Sequence, residues 1–128
     1  MSRTLDQKRA EFAWEAVSQA RRKLRDFKEY RNLVKGSPAL VMGNGLMAAL
    51  AFYQSRGKCY ASRLMQDMLE WLIKRQGQSG VPQFAERMTA FQKMGTRDYM
   101  TATEETLAML KWLRQFADAV ATSEGEQG

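Results

Sequence analysis

The stretch Leu46–Arg56, LMAALAFYQSR, is apolar around most of its circumference when it is drawn as a helix. Leu, Ala and Met dominate it, and these residues are strong helix formers. A helix that is apolar on nearly all sides is typical of the buried centre of a domain. We therefore expect this segment to be the central helix of an all-α protein, with the glycines of Gly43-Asn44-Gly45 before it and Gly57 as its stop.

The segments on both sides are also predicted to be helical, because β-branched residues are sparse and only two prolines occur. The first helix is predicted at residues 5–35, since Thr4 and Gln7 fit a capping box and Gly36 follows as a stop. Ser37 and Pro38 are typical of the N-cap and first residue of a short helix at 38–42. Further helices are predicted at residues 59–75, 84–93 and 97–121, with a flexible loop at 76–83.

These elements predict a compact all-α bundle of about six helices, in which the first and last helices are long. The length of 128 residues suits a single helical domain over residues 1–128. We expect residues 122–128, TSEGEQG, to form a disordered acidic tail.

Positive charge is concentrated in one half of the chain, whose net charge is +6. Residues 1–60 carry twelve Lys/Arg and five Asp/Glu, whereas residues 61–128 carry eight and nine. This asymmetry favours a polyanionic partner for one face, with nucleic acid ahead of a membrane.

The basic residues of the predicted first helix repeat at steps of three and four on the side opposite its apolar face. Such a row can follow RNA phosphates roughly 6 Å apart, and Trp14 on the same side would stack on a base or pack against a partner protein. Arg9 and Arg31, in contrast, point toward the apolar side. The predicted RNA-binding residues, which include two cations at the corner after the central helix, are Arg21, Arg22, Arg25, Lys28, Lys35, Arg56 and Lys58.

The residues needed for common catalytic and metal sites are missing or isolated. The chain has no histidine, which removes the usual general base and most zinc sites. Its one cysteine, Cys59, is expected to be a small apolar filler and fits a reducing cytoplasm. The carboxylates Asp67 and Glu70 are expected on the polar face of their helix, in i,i+4 pairs with Arg63 and Lys74. We therefore predict a non-enzyme without metal or cofactor.

Three groups of residues, in this order and spacing, resemble a known family, the small subunit of the type III-B CRISPR effector called the Cmr complex. The resemblance covers about residues 7–121. It is carried by Gln7-Lys8-Arg9-Ala10 with Ala13 and Val17, by Asn44-Gly45-Leu46 with Ala49-Leu50-Ala51-Phe52 and Gly57, and by Tyr99, Ala102-Thr103, Glu105, Leu110-Lys111-Trp112-Leu113 and Phe116-Ala117.

The resemblance implies a six-helix bundle without catalytic activity in an RNA-guided antiviral complex. Several copies would stack as a minor filament along the channel in which target RNA pairs with the guide, and the other Cmr subunits would be partners. In such assemblies base pairing reads the sequence, while protein recognises the backbone. An alternative is a helical adaptor whose basic face binds an acidic protein; there Trp14 and the arginines would be interface residues.

Overall fold

A computed structural model describes residues 2–123, and within this range it shows six helices and no strand. Buried residues from all six helices form one hydrophobic cluster. The prediction of an all-α bundle is therefore confirmed. The helices are α1 (Leu5–Lys23), α2 (Phe27–Asn44), α3 (Leu46–Arg56), α4 (Cys59–Arg75), α5 (Phe84–Lys93) and α6 (Thr96–Ser123).

The prediction of one continuous helix over residues 5–35 is wrong, because the chain leaves helical geometry between α1 and α2. Leu24 is extended, with φ −92° and ψ 130°, although its N–H still donates to the carbonyl of Ala20. Asp26 is the N-cap of α2 and Glu29 lies in its first turn, a pattern typical of a helix start. The basic row of the first helix is therefore divided between two helices.

The stop predicted at Gly36 is also wrong, since α2 continues through Gly36, Ser37 and Pro38. Proline has no N–H to donate to the carbonyl four residues earlier, here that of Val34. The Ser37 hydroxyl is buried and donates to this same carbonyl oxygen at 2.8 Å. Ser37 thus replaces the hydrogen bond that Pro38 removes, and the helix continues to Asn44.

The helix at the centre of the bundle is α4 rather than α3, which corrects the expectation from its apolar sequence. Nine residues of α4 are buried, whereas α3 buries only one side, through Leu46, Ala49, Leu50 and Tyr53. Phe52 of α3 remains 44 % exposed. In α4 the buried residues pack against α2, α3 and α6. The polar residues in its sequence made α4 look less buried than α3, although more helices surround it.

The other predicted boundaries are confirmed or shifted by only one or two residues. Thr4 and Gln7 form both hydrogen bonds of the capping box, and Gly57 ends α3 in the left-handed conformation at φ +66°. The last helix extends to Ser123, so residues 122 and 123 of the predicted tail are helical; residues 124–128 lie outside the described part. None of the helices described is long and apolar enough to cross a membrane.

A glycine and a tyrosine fix the junction between α2 and α3. Gly45 has φ +91° and ψ 159°, a region that residues with a Cβ rarely adopt. The backbone N–H of Met47, in the first turn of α3, donates to the Tyr99 hydroxyl of α6 at 3.0 Å. The start of α3 is therefore held by a side chain from the last helix, which satisfies one of its free N–H groups.

Candidate nucleic-acid interface

Four cations meet where α1 ends and α2 begins, and we call Arg21, Arg22, Arg25 and Lys28 the basic corner. Three of them line a shallow depression of about 460 Å³, together with Asp26, Phe27, Glu29 and Arg31. Arg21 is half-buried, and its guanidinium lies 5.4 Å from the centre of the Phe27 ring. The other three cations are exposed. The break that divides the predicted helix thus folds its basic residues around one depression.

The exposed cations of the basic corner are not neutralised by ion pairs within residues 2–123. No salt bridge joins Arg22, Arg25 or Lys28 to a carboxylate there, although Asp26 and Glu29 lie close by. The corner also contains the N-terminus of α2, where the helix dipole favours an anion. Its charge and its free backbone end are therefore both available to a phosphate.

The remaining predicted RNA-binding residues lie elsewhere on the surface. Lys35 is exposed in the middle of α2, and Lys58 is exposed just before α4. Arg56, at the end of α3, lies with its guanidinium 5.7 Å from the centre of the Phe52 ring. None of the three lines the depression at the basic corner. The structure thus gathers three of the seven predicted residues around the depression, with Arg22 next to them in the last turn of α1, and leaves the other three apart.

Trp14 is separate from the basic corner, contrary to its place in the predicted row. Its side chain is 50 % exposed and meets the ring of Phe116 edge-on, with ring centres 5.3 Å apart. It lines a groove of about 460 Å³ between α1 and α4, and we call this the acidic groove because Glu11, Glu15 and Glu70 also line it. A base stacked on Trp14 would lie beside carboxylates rather than beside the arginines.

Other arginines of the basic half are held by carboxylates of α6. Arg9 makes two hydrogen bonds to Glu105, at 2.7 and 2.9 Å, and the indole N–H of Trp71 donates to the same carboxylate at 3.1 Å. The Arg9 guanidinium holds the pKa of Glu105 below its usual range. Arg31 similarly donates to Asp118 at 2.8 Å. The prediction that Arg9 and Arg31 point inward is confirmed, and both join the first half of the chain to α6.

The carboxylate of Asp67 is buried, whereas the sequence placed it on a polar face. It accepts a hydrogen bond from the buried Tyr30 hydroxyl at 2.8 Å and lies 3.3 Å from Nε of Arg63. Burial raises its pKa to about 7, and the nearby Arg63 opposes that rise. The Arg63–Asp67 pair is present as predicted, but the carboxylate is inside the bundle. Glu70 lies on the surface as expected, whereas Lys74 lies over the Phe12 ring, 5.7 Å from its centre.

No group of three or more potential metal ligands occurs among the residues that the structure describes. Cys59 is exposed at the start of α4, so the expectation that it fills the core is wrong.

Known proteins resemble this chain in sequence and in fold. The family model described as "CRISPR-associated protein (Cas_Cmr5)" matches residues 5–120. The chain is 34 % identical, over 92 % of its length and 96 % of the relative, to the "CRISPR system Cmr subunit Cmr5" of Thermus thermophilus. It is 26 % identical, over 95 % of its length and 88 % of the relative, to the protein of that name from Thermotoga maritima.

A solved structure is also similar. The crystal structure of a CRISPR-associated Cmr5 family protein from Thermus thermophilus matches with a TM-score of 0.75 and 34 % identity, covering 92 % of this chain and 97 % of the other. The family match, the relatives and this structure each cover nearly the whole chain. The chain therefore belongs to the Cmr5 family of CRISPR-associated proteins.

Proposed function

We propose that this chain is a structural, RNA-contacting subunit of a Cmr CRISPR complex. In this role the basic corner contacts the phosphate backbone of the target RNA paired to its guide. Family membership supports a place in the Cmr complex, since the relatives are named as its subunits. The basic corner supports the RNA contact, because its exposed cations have no ion-pair partner within residues 2–123.

A single observation carries the RNA contact: the exposed cations Arg22, Arg25 and Lys28 have no ion pair within residues 2–123. Arg9 and Arg31 belong to the same two helices, yet each is bound to a carboxylate of α6. An arginine already paired in this way would have to give up its partner to bind a phosphate. Arg22, Arg25 and Lys28 have no such partner to lose, so RNA binding would release only counterions.

We also propose where the chain lies in the complex and in the cell. Copies of the chain stack side by side as a minor filament, next to the subunits that hold the guide RNA. Each copy then presents its basic corner to the duplex, and several weak contacts add through avidity. Lys35, Arg56 and Lys58 extend the cationic surface beyond the corner. The complex acts in antiviral defence in the cytoplasm, and this subunit contributes binding rather than catalysis.

Charge reversal of the exposed corner residues tests the RNA contact in the assembled complex. Arg21 is left intact because it packs on Phe27. In the variant Arg22→Glu/Arg25→Glu/Lys28→Glu, we expect target-RNA affinity to fall about ten-fold or more at low salt. The slope of log affinity against log salt should also become smaller in magnitude, by roughly 2 for each copy of the chain that contacts the RNA, since each phosphate contact on a single strand contributes about 0.7. Filter binding at several salt concentrations measures both quantities.

A control variant with the same change in charge separates a local contact from a general electrostatic effect. Lys93, Arg97 and Lys111 are exposed on α5 and α6, outside the basic corner. The variant Lys93→Glu/Arg97→Glu/Lys111→Glu should change affinity by less than about three-fold. Equal losses in the two variants would argue against contact at the corner. Corner peptides crosslinked to protein alone would support the adaptor alternative.

A further inference from the structure

The acidic groove between α1 and α4 contrasts in charge with the rest of the first half of the chain. On the α1 side it is lined by Trp14 and Glu15, and on the α4 side by Glu70 and Lys74. Two cations, Arg63 and Lys74, also line the groove, and each contacts another group. Arg63 pairs with Asp67, and the Lys74 ammonium lies over the Phe12 ring.

Two carboxylates of the groove have no cationic partner within residues 2–123. Glu15 accepts a hydrogen bond from the neutral amide of Gln19 at 2.9 Å, and no salt bridge involves Glu70. Glu11, in contrast, is paired with Arg3 at 2.8 Å. The open part of the groove therefore has surplus negative charge beside an indole ring that is half exposed.

We propose that the acidic groove docks an arginine-bearing segment of another protein subunit. A guanidinium stacks on the face of an aromatic ring and can bind a carboxylate through two parallel hydrogen bonds. Trp14 supplies the ring, and Glu15 and Glu70 supply carboxylates on the two walls. RNA does not fit this site, because the same carboxylates repel phosphates. The groove, at about 460 Å³, is larger than one guanidinium group, so flanking residues of the partner enter with it.

This inference rests on the proposed place of the chain in a larger assembly, but not on its contact with RNA. The basic corner and the acidic groove share no lining residue. One copy can therefore bind a cationic protein segment and a polyanion at the same time. Opposite charges on separate faces also disfavour exchange of the two partners, because each face repels the partner of the other.

Charge reversal in the purified Cmr complex tests the docking site. In the variant Glu15→Lys/Glu70→Lys, we expect the retention of the other subunits on the tagged chain to fall about ten-fold or more. The control Glu86→Lys/Glu104→Lys makes the same charge change at exposed positions of α5 and α6, and retention should stay within about two-fold. The neutral variant Glu15→Gln/Glu70→Gln removes the two negative charges without adding lysines that could disturb Arg63. It should also lower retention.

A photocrosslinker at position 14 identifies the occupant. With Trp14→benzoylphenylalanine in the assembled complex, the crosslink should map to an Arg- or Lys-bearing segment of another subunit. Reversing the charge of that segment should then restore retention of the Glu15→Lys/Glu70→Lys variant. A crosslink to RNA, a crosslink only to a second copy, or equal retention of groove and control variants would overturn the proposal. Target-RNA affinity of the same preparations reports separately on the basic corner.

Discussion

Two sets of arginines, in the first two helices and in the break between them, carry the same charge but have opposite surroundings. Arg9 and Arg31 are mostly buried and bound to Glu105 and Asp118 of α6. Arg22 and Arg25 are exposed, and no salt bridge within residues 2–123 involves them. A count of charges along the chain treats all four alike. The comparison teaches that the first set contributes to stability, while the second is available to a partner.

Asp67 gives the largest expected effect, because its carboxyl group is buried inside the bundle, with only 2 % of the side chain exposed. Burial raises the folded-state pKa of Asp67 to about 7, whereas an unfolded chain has a value of about 3.9. Between these values the unfolded state binds fewer protons, so the free energy of unfolding falls as pH rises. The loss from this one group reaches about 4 kcal/mol by pH 7 and stays constant above about pH 8.

The variant Asp67→Asn isolates this effect, since asparagine can still accept the hydrogen bond from the Tyr30 hydroxyl but does not titrate. Urea unfolding at pH steps from 4 to 8 gives the difference in stability between the native chain and the variant. We expect that difference to fall as pH rises through this range. A difference that is flat or that rises with pH would contradict the assignment of a raised pKa to Asp67.

Glu105 gives the next largest effect, because its carboxylate accepts hydrogen bonds from both Arg9 and Trp71. The variant Glu105→Ala leaves the indole N–H without its acceptor, and the mostly buried guanidinium of Arg9 keeps only its longer contact with Asp6, at 3.5 Å. We expect the free energy of unfolding to fall by about 3 kcal/mol, near the lower end for breaking a buried pair because both side chains retain some exposure. Urea unfolding with an unchanged m-value measures this loss.

The neighbouring residue Glu104 is a matched control, since it is exposed on the same helix. The change Glu104→Ala should alter stability by less than about 0.5 kcal/mol. Similar losses at the two positions would mean that removal of a carboxylate from α6, rather than the contact with Arg9, sets the cost.

The smallest effect is expected at the basic corner. The variant Arg22→Glu/Arg25→Glu/Lys28→Glu should change the free energy of unfolding by less than about 1 kcal/mol. Glutamate at position 22 is unfavourable in the last turn of α1, but glutamate at position 28 is favourable in the first turn of α2. Thermal and urea unfolding of the isolated chain check this. A loss as large as that of Glu105→Ala would place the corner cations among the structural residues.

Much of the fold could be predicted from the sequence because its strongest signals are local. The capping box at Thr4 and the glycine stop at Gly57 are each set by nearby residues, and both are confirmed. The errors arose where one signal opposed another. At the break between α1 and α2, Asp26 is the cap residue, but no Gly or Pro beside it signals the end of a helix. The helical periodicity on both sides therefore favoured one continuous helix. Pro38 resembled a helix start because the hydrogen bond from Ser37 could not be inferred.

The candidate site was less predictable, because a helical wheel assumes one straight axis. Once the chain bends at Leu24, Trp14 no longer lies in line with Arg25 and Lys28, and the wheel gives no account of the acidic groove. The burial of Asp67 depends on Tyr30, thirty-seven residues earlier. Helical periodicity relates only residues on the same helix, whereas Tyr30 lies on α2 and Asp67 on α4. The contact between them therefore depends on how the helices pack.

The hydrogen bond from Ser37 to the carbonyl of Val34 also constrains the order in which this segment can change during evolution. Loss of the hydroxyl while Pro38 is present would leave a buried carbonyl without a donor, whereas the same loss would be harmless after Pro38 is replaced. The effect of a mutation at position 37 therefore depends on the residue at position 38. The two positions are epistatic: a substitution of Ser37 is tolerated without loss of stability only after Pro38 has been substituted.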